Sequence, residues 1–335
     1  MSASTSPSRR RRGLLLGWML PLSLSVHAQS AGKVYRSGYL STGSSTSSYV
    51  RPLEAFRQTL RERGWVEGQN IVIEQRYAEG RVERLPALAE ELVRLKMDVI
   101  AAAPVPATLA ARNATQTIPI VGMGLSEPVA AGLVATLARP GGNVTGVSYS
   151  LDTEIFGKQL ELLKEVLPKA RLVAVLSNPG ASPTLPLTMS KIDAAARALG
   201  LRLQLLEART PQEFDAAFAE MVKARADALL LTGDSMYFAH RHRLAELATK
   251  NRLPAMSTQT QWVEGGGLIA YGPSMPDLWR SGALQVDRIL RGAKPADLPL
   301  VGPTTFELAI NLKTAQALGL VIPRSLLARA DTVIE

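Results

Sequence analysis

The sequence predicts an α/β protein built as two doubly wound parallel-sheet lobes. Three observations predict it. Short β-rich runs alternate with helical patterns from residue 34 onward, the alternation breaks near residue 150, and it then starts again. Two successive βαβαβ series require two parallel sheets, each covered by helices. The length of 335 residues suits two lobes of ordinary domain size. Apolar residues make up 46% of the chain and charged residues 20%, a globular composition and not a disordered one.

The N-terminus is read first. Arg9, Arg10, Arg11 and Arg12 precede GLLLGWMLPLSLSV, an apolar run of 14 residues, and Val26-His27-Ala28 lead to Gln29. A basic start, a short apolar core and small residues before a cut describe a signal peptide over 1–28. The run is short for a membrane span. Arg-Arg-Gly-Leu-Leu also fits a loose twin-arginine pattern, so the export route stays open. The arginine block holds four of the nine surplus positive charges. What remains is a mildly basic surface that gives no reason to expect a nucleic-acid partner. There are no cysteines, so neither disulfides nor a lipid-bearing cysteine are available.

In the first lobe, strands are expected at 34–40, 70–77, 98–103, 118–123 and 143–149. Between them Leu53, Phe56 and Leu60, then Leu85, Leu88 and Leu92, then Val129, Leu133 and Leu137 repeat with helical spacing. In the second lobe, strands are expected at 171–177, 202–207, 227–232, 253–257 and 267–271. Thr210, Pro211 and Glu213 give a helix start with a capping box, and Phe214, Phe218 and Met221 mark the buried face that follows. Beyond 275 come a helix closed by Gly292 with Trp279, Val286 and Leu290 on one face, a β-like TTFELAIN, and a short helix from Asn311 to Gly319. Lobe 1 is expected over 33–147 with 273–300 returning to it. Lobe 2 is expected over 148–271 with 303–335 crossing back near the hinge.

Several chemistries are weighed and set aside. The glycines of GMGLSE fail the dinucleotide pattern, because Glu127 stands where a third glycine belongs and would repel a pyrophosphate. Gly141-Gly142 lacks the Lys-Ser/Thr of a phosphate loop, and Pro140-Gly141-Gly142-Asn143 is turn chemistry. Ser235 would need a histidine base, and only His240 and His242 follow, on the same expected helix. Those two histidines lie on different helix faces, so no metal site is assigned. No catalytic residue and no cofactor is expected.

In open α/β sheets ligands gather at the carboxyl ends of the strands. The loops there are rich in hydroxyls, amides and aromatics. They supply the expected ligand-binding residues Ser41, Thr42, Tyr49, Thr108, Ser126, Glu127, Asn178, Asp234, Thr258 and Tyr271. Glu127 and Asp234 are the two carboxylates, one from each lobe.

Four segments carry a resemblance to a known family. GWVEGQNIVIEQRYAEGRVERLPALAEELVRLKMDVI (64–100), EPVAAGLVATLARPGGNVTG (127–146), GKQLELLKEVLP (157–168) and FELAINLKTAQALGLVIPRSLLARADTVIE (306–335) resemble ABC-transporter substrate-binding proteins of the type I periplasmic-binding-protein fold. They resemble the branch in which some members bind aromatic amino acids. The resemblance implies two lobes joined by crossing strands, a small-molecule ligand between them, and an ABC permease with its ATPase as partner. It implies a monomer whose two doubly wound parallel-sheet lobes are joined by a hinge, for which Val147-Ser148-Tyr149, Tyr271-Gly272 and Gly302-Pro303 are the expected segments. The signal peptide and the missing lipid cysteine lead to the expectation of a soluble protein in the periplasm. The chain departs from the family pattern at Ala103-Pro104-Val105-Pro106, where relatives carry a hydroxyl, and at Glu127, where relatives carry Asp. A sensory binding protein that presents its ligand to a receptor, and an exported α/β hydrolase, stay open as alternatives.

The export reading predicts a mature chain that begins at Gln29. N-terminal sequencing of protein recovered from the periplasm checks it, and an intact Met1 in a membrane fraction would overturn it.

Overall fold

The computed structural model describes residues 1–4, 33–44, 50–149 and 154–335. Residues 5–28 of the expected signal peptide, and the expected ligand residue Tyr49, lie outside the described residues. Val34–Glu335 form one contact unit, and both lobes belong to it.

Lobe 1 opens with β1 (Tyr35–Ser41), α1 (Val50–Glu62), β2 (Ile71–Tyr77), α2 (Leu85–Arg94), β3 (Val99–Ala103), α3 (Val105–Ala114), β4 (Ile120–Leu125) and β5 (Val144–Ser148). The strands pair in parallel in the order β2-β1-β3-β4-β5. Lobe 2 follows with α4 (Glu154–Val166), β6 (Leu172–Ser177), α5 (Leu185–Ala198), β7 (Arg202–Glu207), α6 (Phe214–Lys223), β8 (Ala228–Leu231), α7 (Ser235–Ala239), α8 (Arg241–Lys250), β9 (Ala255–Ser257), α9 (Gln261–Glu264) and β10 (Ile269–Pro273). The chain then returns to lobe 1 as α10 (Met275–Leu290), which packs along α1 and onto β3, β4 and β5. It ends in lobe 2 as β11 (Phe306–Asn311), α11 (Leu312–Ala317), α12 (Arg324–Leu327) and β12 (Thr332–Ile334). The second sheet has the order β12-β11-β10-β9-β8-β6-β7, parallel except that β11 runs antiparallel to β10.

Each sheet is covered on both faces. Phe56, Leu60, Val286 and Trp279 are buried on one side of the first sheet, and Leu85, Leu92 and Leu125 on the other. In lobe 2, Phe214, Phe218 and Met221 of α6 are buried as their spacing requires. A fully buried side chain of this size contributes about 1.5–3 kcal/mol. Strands buried on both faces read as continuous apolar runs, as VIAAA of β3 and ALLL of β8 do. Asn311 caps α11 by accepting from the Thr314 N–H at 3.0 Å, and Gly319 and Gly292 take left-handed conformations just past α11 and α10. At the start of α6 the expected capping box does not form, and the Thr210 hydroxyl instead donates to the Glu213 carboxylate at 3.2 Å. The Glu213 carboxylate accepts from the Arg209 N–H at 2.9 Å, but Thr210 makes no side-chain bond to the helix backbone.

Two further expectations are corrected. Residues 127–143 form no helix, although Val129, Leu133 and Leu137 have helical spacing. Pro128 and Pro140 interrupt the stretch, and Glu127, Gly132 and Gly141 all have positive φ. Leu133 and Val134 still reach the core through these turns, while Val129 is exposed. The short terminal strand β12 was not expected. Its entry is fixed by Asp331, whose carboxylate accepts from the Leu308 N–H at 2.8 Å.

The glycines of β4 and β5 have a steric role. Gly122 and Gly146 face each other in the ladder, and a Cβ on Gly146 would lie 2.0 Å from the Gly122 carbonyl oxygen.

Three connections link the lobes. They run from β5 to α4, from β10 to α10, and from the 298–301 segment beside β5 to β11. The second and third are tied to each other, since the Ser274 N–H donates to the Thr305 carbonyl at 3.0 Å. Gly272 sits in the second, in strand conformation, as the last residue but one of β10. A Cβ there would lie 1.9 Å from the Thr258 carbonyl oxygen and 2.9 Å from the Tyr149 hydroxyl. Its first requirement is close backbone approach, beyond any torsional freedom. Gly272→Ala is therefore expected to cost about 1–3 kcal/mol, as overpacking does, and to lower Tm by several degrees. An unchanged melting curve would contradict this.

Candidate functional site

The carboxyl ends of strands from both sheets border one cleft of about 580 Å³. Thr42 follows β1, Pro104 follows β3, and Met123, Gly124 and Ser126 stand at the end of β4. From the other lobe come Asn178 after β6, Thr232 and Asp234 after β8, and Thr258 after β9. This is where the doubly wound topology places a ligand.

The lobe 1 wall is mostly apolar. Trp279 and Met275 of α10, Met123 of β4 and Val105 of α3 line it. Trp279 is fully buried, and its Nε1–H donates to the Tyr39 hydroxyl at 3.2 Å, which fixes the ring. Gly124 lies over the ring edge, where a Cβ would stand 3.8 Å from it. The lobe 2 wall adds Phe156, Leu185 and Met236 but also a polar row from neighbouring strands. Asp234 is its centre. Its Oδ1 accepts from the N–H groups of Met236 at 2.7 Å and Tyr237 at 3.1 Å, and so caps α7. Its Oδ2 accepts from Asn178 Nδ2 at 3.1 Å. Asn178 is held in that orientation because its Oδ1 accepts from the Gly180 N–H at 3.0 Å. Burial pushes the Asp234 carboxyl above the usual carboxylate range, and these hydrogen bonds oppose the rise. A cationic group entering the cleft beside it would favour the charged form that burial disfavours. Among the described residues no group of three His, Asp or Glu could hold a metal ion.

Five of the expected residues meet at this cleft: Thr42, Ser126, Asn178, Asp234 and Thr258. Four others do not line it. The Ser41 hydroxyl accepts from the Gly43 N–H at 3.1 Å inside a turn. The Thr108 hydroxyl is turned back onto its own helix and bonds the carbonyls of Ala102 and Pro104 at 3.0 Å. The Tyr271 ring stacks on Phe306 with centroids 5.8 Å apart. Glu127 forms an ion pair with Lys191 of α5, across the two lobes. His240 packs edge-on against Phe214 at 6.0 Å and separates α7 from α8, so the single helix expected through His240 and His242 is two.

Tyr149, Met275 and Trp279 line the cleft and were not expected as ligand residues. Tyr149 was read as hinge and Trp279 as helix core. The available signal was the position of 275–279 directly after a crossing, which carries the start of α10 into the cleft floor.

Among the described residues two ion pairs join the lobes: Glu127 with Lys191, each about a quarter exposed, and Arg51 of α1 with Glu264 of α9 at 2.9 Å. Pairs of this exposure contribute about 0.2–1 kcal/mol. Lys191→Met removes the better shielded one and should enlarge the mean radius of gyration in solution. Scattering curves that superimpose on wild type would show that the pair does not hold the lobes together.

Comparison with known proteins agrees with this geometry. A family model described as ABC transporter substrate binding protein matches residues 45–334. A tyrosine-binding protein of Clostridioides difficile (strain R20291) is 29% identical over 266 residues, 79% of this chain and 75% of that protein. A solved ABC domain from Streptococcus pneumonia in complex with L-Trp superimposes with a TM-score of 0.83 at 26% identity, over 90% of this chain and all of the other. The ligand-free, open structure of a substrate binding protein with adhesive properties from Clostridium difficile gives 0.67 at 27% identity, over 90% and 99%. With the family model matched over nearly the whole chain and the cleft in place between two α/β lobes, the chain belongs to the ABC transporter substrate binding protein family.

Proposed function

We propose that this protein is exported, binds a free aromatic amino acid in the periplasm as a monomer, and delivers it to an ABC permease and its ATPase without chemical change. The observation that carries the reading is the split character of the cleft: an apolar floor on Trp279, Met123 and Met275 opposite a polar row of Asn178, Asp234 and Thr258. An aromatic side chain fits the first and an amino-acid head the second. Burying an aromatic group of about 150–250 Å² contributes about 4–6 kcal/mol at about 25 cal/mol per Å². Association and closure offset much of that, so the head must add specific contacts. The ammonium meets the Asp234 carboxyl, whose hydrogen-bond partners among the described residues, Asn178 and the Met236 and Tyr237 N–H groups, are all uncharged.

Binding works by closure. Each lobe supplies part of the contact, and a ligand that touches both favours the closed arrangement. The lobes here match the L-Trp complex better than the ligand-free, open relative, at nearly equal identity. That supports a closed arrangement of this cleft. Two relatives, a tyrosine-binding protein and one solved in complex with L-Trp, favour the same ligand class.

Thermal unfolding should shift upward with L-tryptophan, L-tyrosine or L-phenylalanine, because a ligand at about 100 times its Kd adds about 2.7 kcal/mol to stability. Asp234→Asn keeps a capping oxygen for α7 and should weaken binding about tenfold or more with little change in Tm. Affinity should fall as pH is lowered through the raised range of Asp234, since protonation removes the charge that meets the ammonium. No shift with any of the three amino acids, while leucine or a nucleoside gives one, would defeat the ligand assignment.

A further inference from the structure

Thr42 and Thr258 stand on opposite walls of the cleft, one in each lobe. They are 2% and 3% exposed. Neither Oγ1 has a hydrogen-bond partner among the described residues. Their main chains, in contrast, are engaged. The Thr42 N–H donates to the Ala103 carbonyl at 3.1 Å, and its carbonyl accepts from the Gly80 N–H at 2.8 Å. The Thr258 carbonyl accepts from the Tyr149 hydroxyl at 3.0 Å. Other buried threonines at the strand ends behave differently. Thr232 donates to the Leu176 carbonyl at 3.0 Å, and Thr108 bonds two carbonyls.

A buried hydroxyl without a partner costs free energy, because the bond it made to water is not replaced. Valine at either position would have the same shape without that cost. The surroundings show what each hydroxyl could meet. Thr42 is bonded through its N–H to Ala103, just before the N-terminus of the ten-residue helix α3, whose Val105 and Pro106 line the same wall. The positive end of a helix favours an anionic group. Thr258 lies beside Gly233, where a Cβ would be 3.8 Å from its Oγ1, and so next to Asp234.

We propose that Thr42 and Thr258 are the head-group hydroxyls of the cleft, and that their lack of protein partners ties closure to an occupied site. Thr42 donates to the ligand carboxylate at the α3 end, and Thr258 accepts from the ammonium shared with Asp234. In the open form water satisfies both hydroxyls. Closing on nothing strands them, and closing on an amino-acid head satisfies them. The inference rests on the reading of the cleft as an amino-acid site, but its second half concerns closure of the ligand-free protein and is measurable without a ligand.

The test uses Thr42→Val, Thr258→Val and the double variant, with Thr42→Ser and Thr258→Ser as controls that keep the hydroxyl. Calorimetric titration with L-tryptophan and L-tyrosine should show each valine variant weakened about tenfold, which is about 1.4 kcal/mol, and each serine variant near wild type. Against tryptamine, which lacks the carboxylate, Thr42→Val should lose little. Scattering from the ligand-free double variant should give a smaller mean radius of gyration than wild type. If wild type binds these amino acids and the valine variants bind them as tightly, the hydroxyl assignment is wrong and the ligand reading stands. If wild type binds none of them, the ligand reading fails. The closure half is then judged by scattering alone, where identical radii for the double variant and wild type overturn it. A valine variant that fails to fold hands the decision to the partner site. Equal affinity there overturns the pairing.

Discussion

Where the chain crosses between the lobes, the Tyr149 hydroxyl donates to the Thr258 carbonyl over a strand position that only glycine fits without displacement. The rest of the cleft depends on this contact. It ties the end of β9 in lobe 2 to the residue that follows β5 in lobe 1. It holds the Thr258 backbone, and thereby the position of its side chain beside Gly233 and Asp234. It also sets how near β9 and β10 approach the crossing, since Gly272 allows the carbonyl to reach where a Cβ would stand. A cleft built from two separately folded sheets needs such a fixed point. Without one, the polar row of lobe 2 and the apolar floor of lobe 1 would have no defined register.

From that point the two walls divide the work. The lobe 1 wall is mostly apolar, with the Trp279 ring of α10 fixed by its bond to the Tyr39 hydroxyl. The lobe 2 wall is polar but economical. Asp234 spends one oxygen on the cap of α7 and shares the other with Asn178, so a carboxylate is kept oriented in an apolar setting. The rim carries charge pairs between lobes, worth little singly at their exposure. Closure is therefore governed by what lies inside the cleft, and the surface pairs only adjust it.

The sequence made the architecture legible because its signals were local. Alternating strand and helix patterns, Asn311 as a cap and Gly292 and Gly319 past helix ends each depend on a few neighbouring residues. The strand-end rule placed Thr42, Ser126, Asn178, Asp234 and Thr258 at the cleft, because topology alone puts those loops there. It misplaced residues whose roles are decided elsewhere. Thr108 lies within a strand-end loop by count but in the first turn of α3, where its hydroxyl bonds back. Tyr271 alternates onto the face of β10 that meets Phe306. Glu127 finds its partner 64 positions away on the other lobe, in Lys191, a pairing no local pattern records. Residues 127–143 have helical spacing but carry prolines and left-handed turns, and spacing yields to those.

The claim at the centre of this account is that one molecule spans both walls, with its ring on the Trp279 floor and its ammonium on Asp234. A crystal structure of the protein grown with L-tyrosine tests it most directly. The account predicts the ring packed against Trp279 and Met123 and the ammonium within hydrogen-bond distance of the Asp234 carboxylate. Tyrosine bound outside the cleft, or bound inside it with its ring against Asp234 and its head on the Trp279 floor, would contradict it.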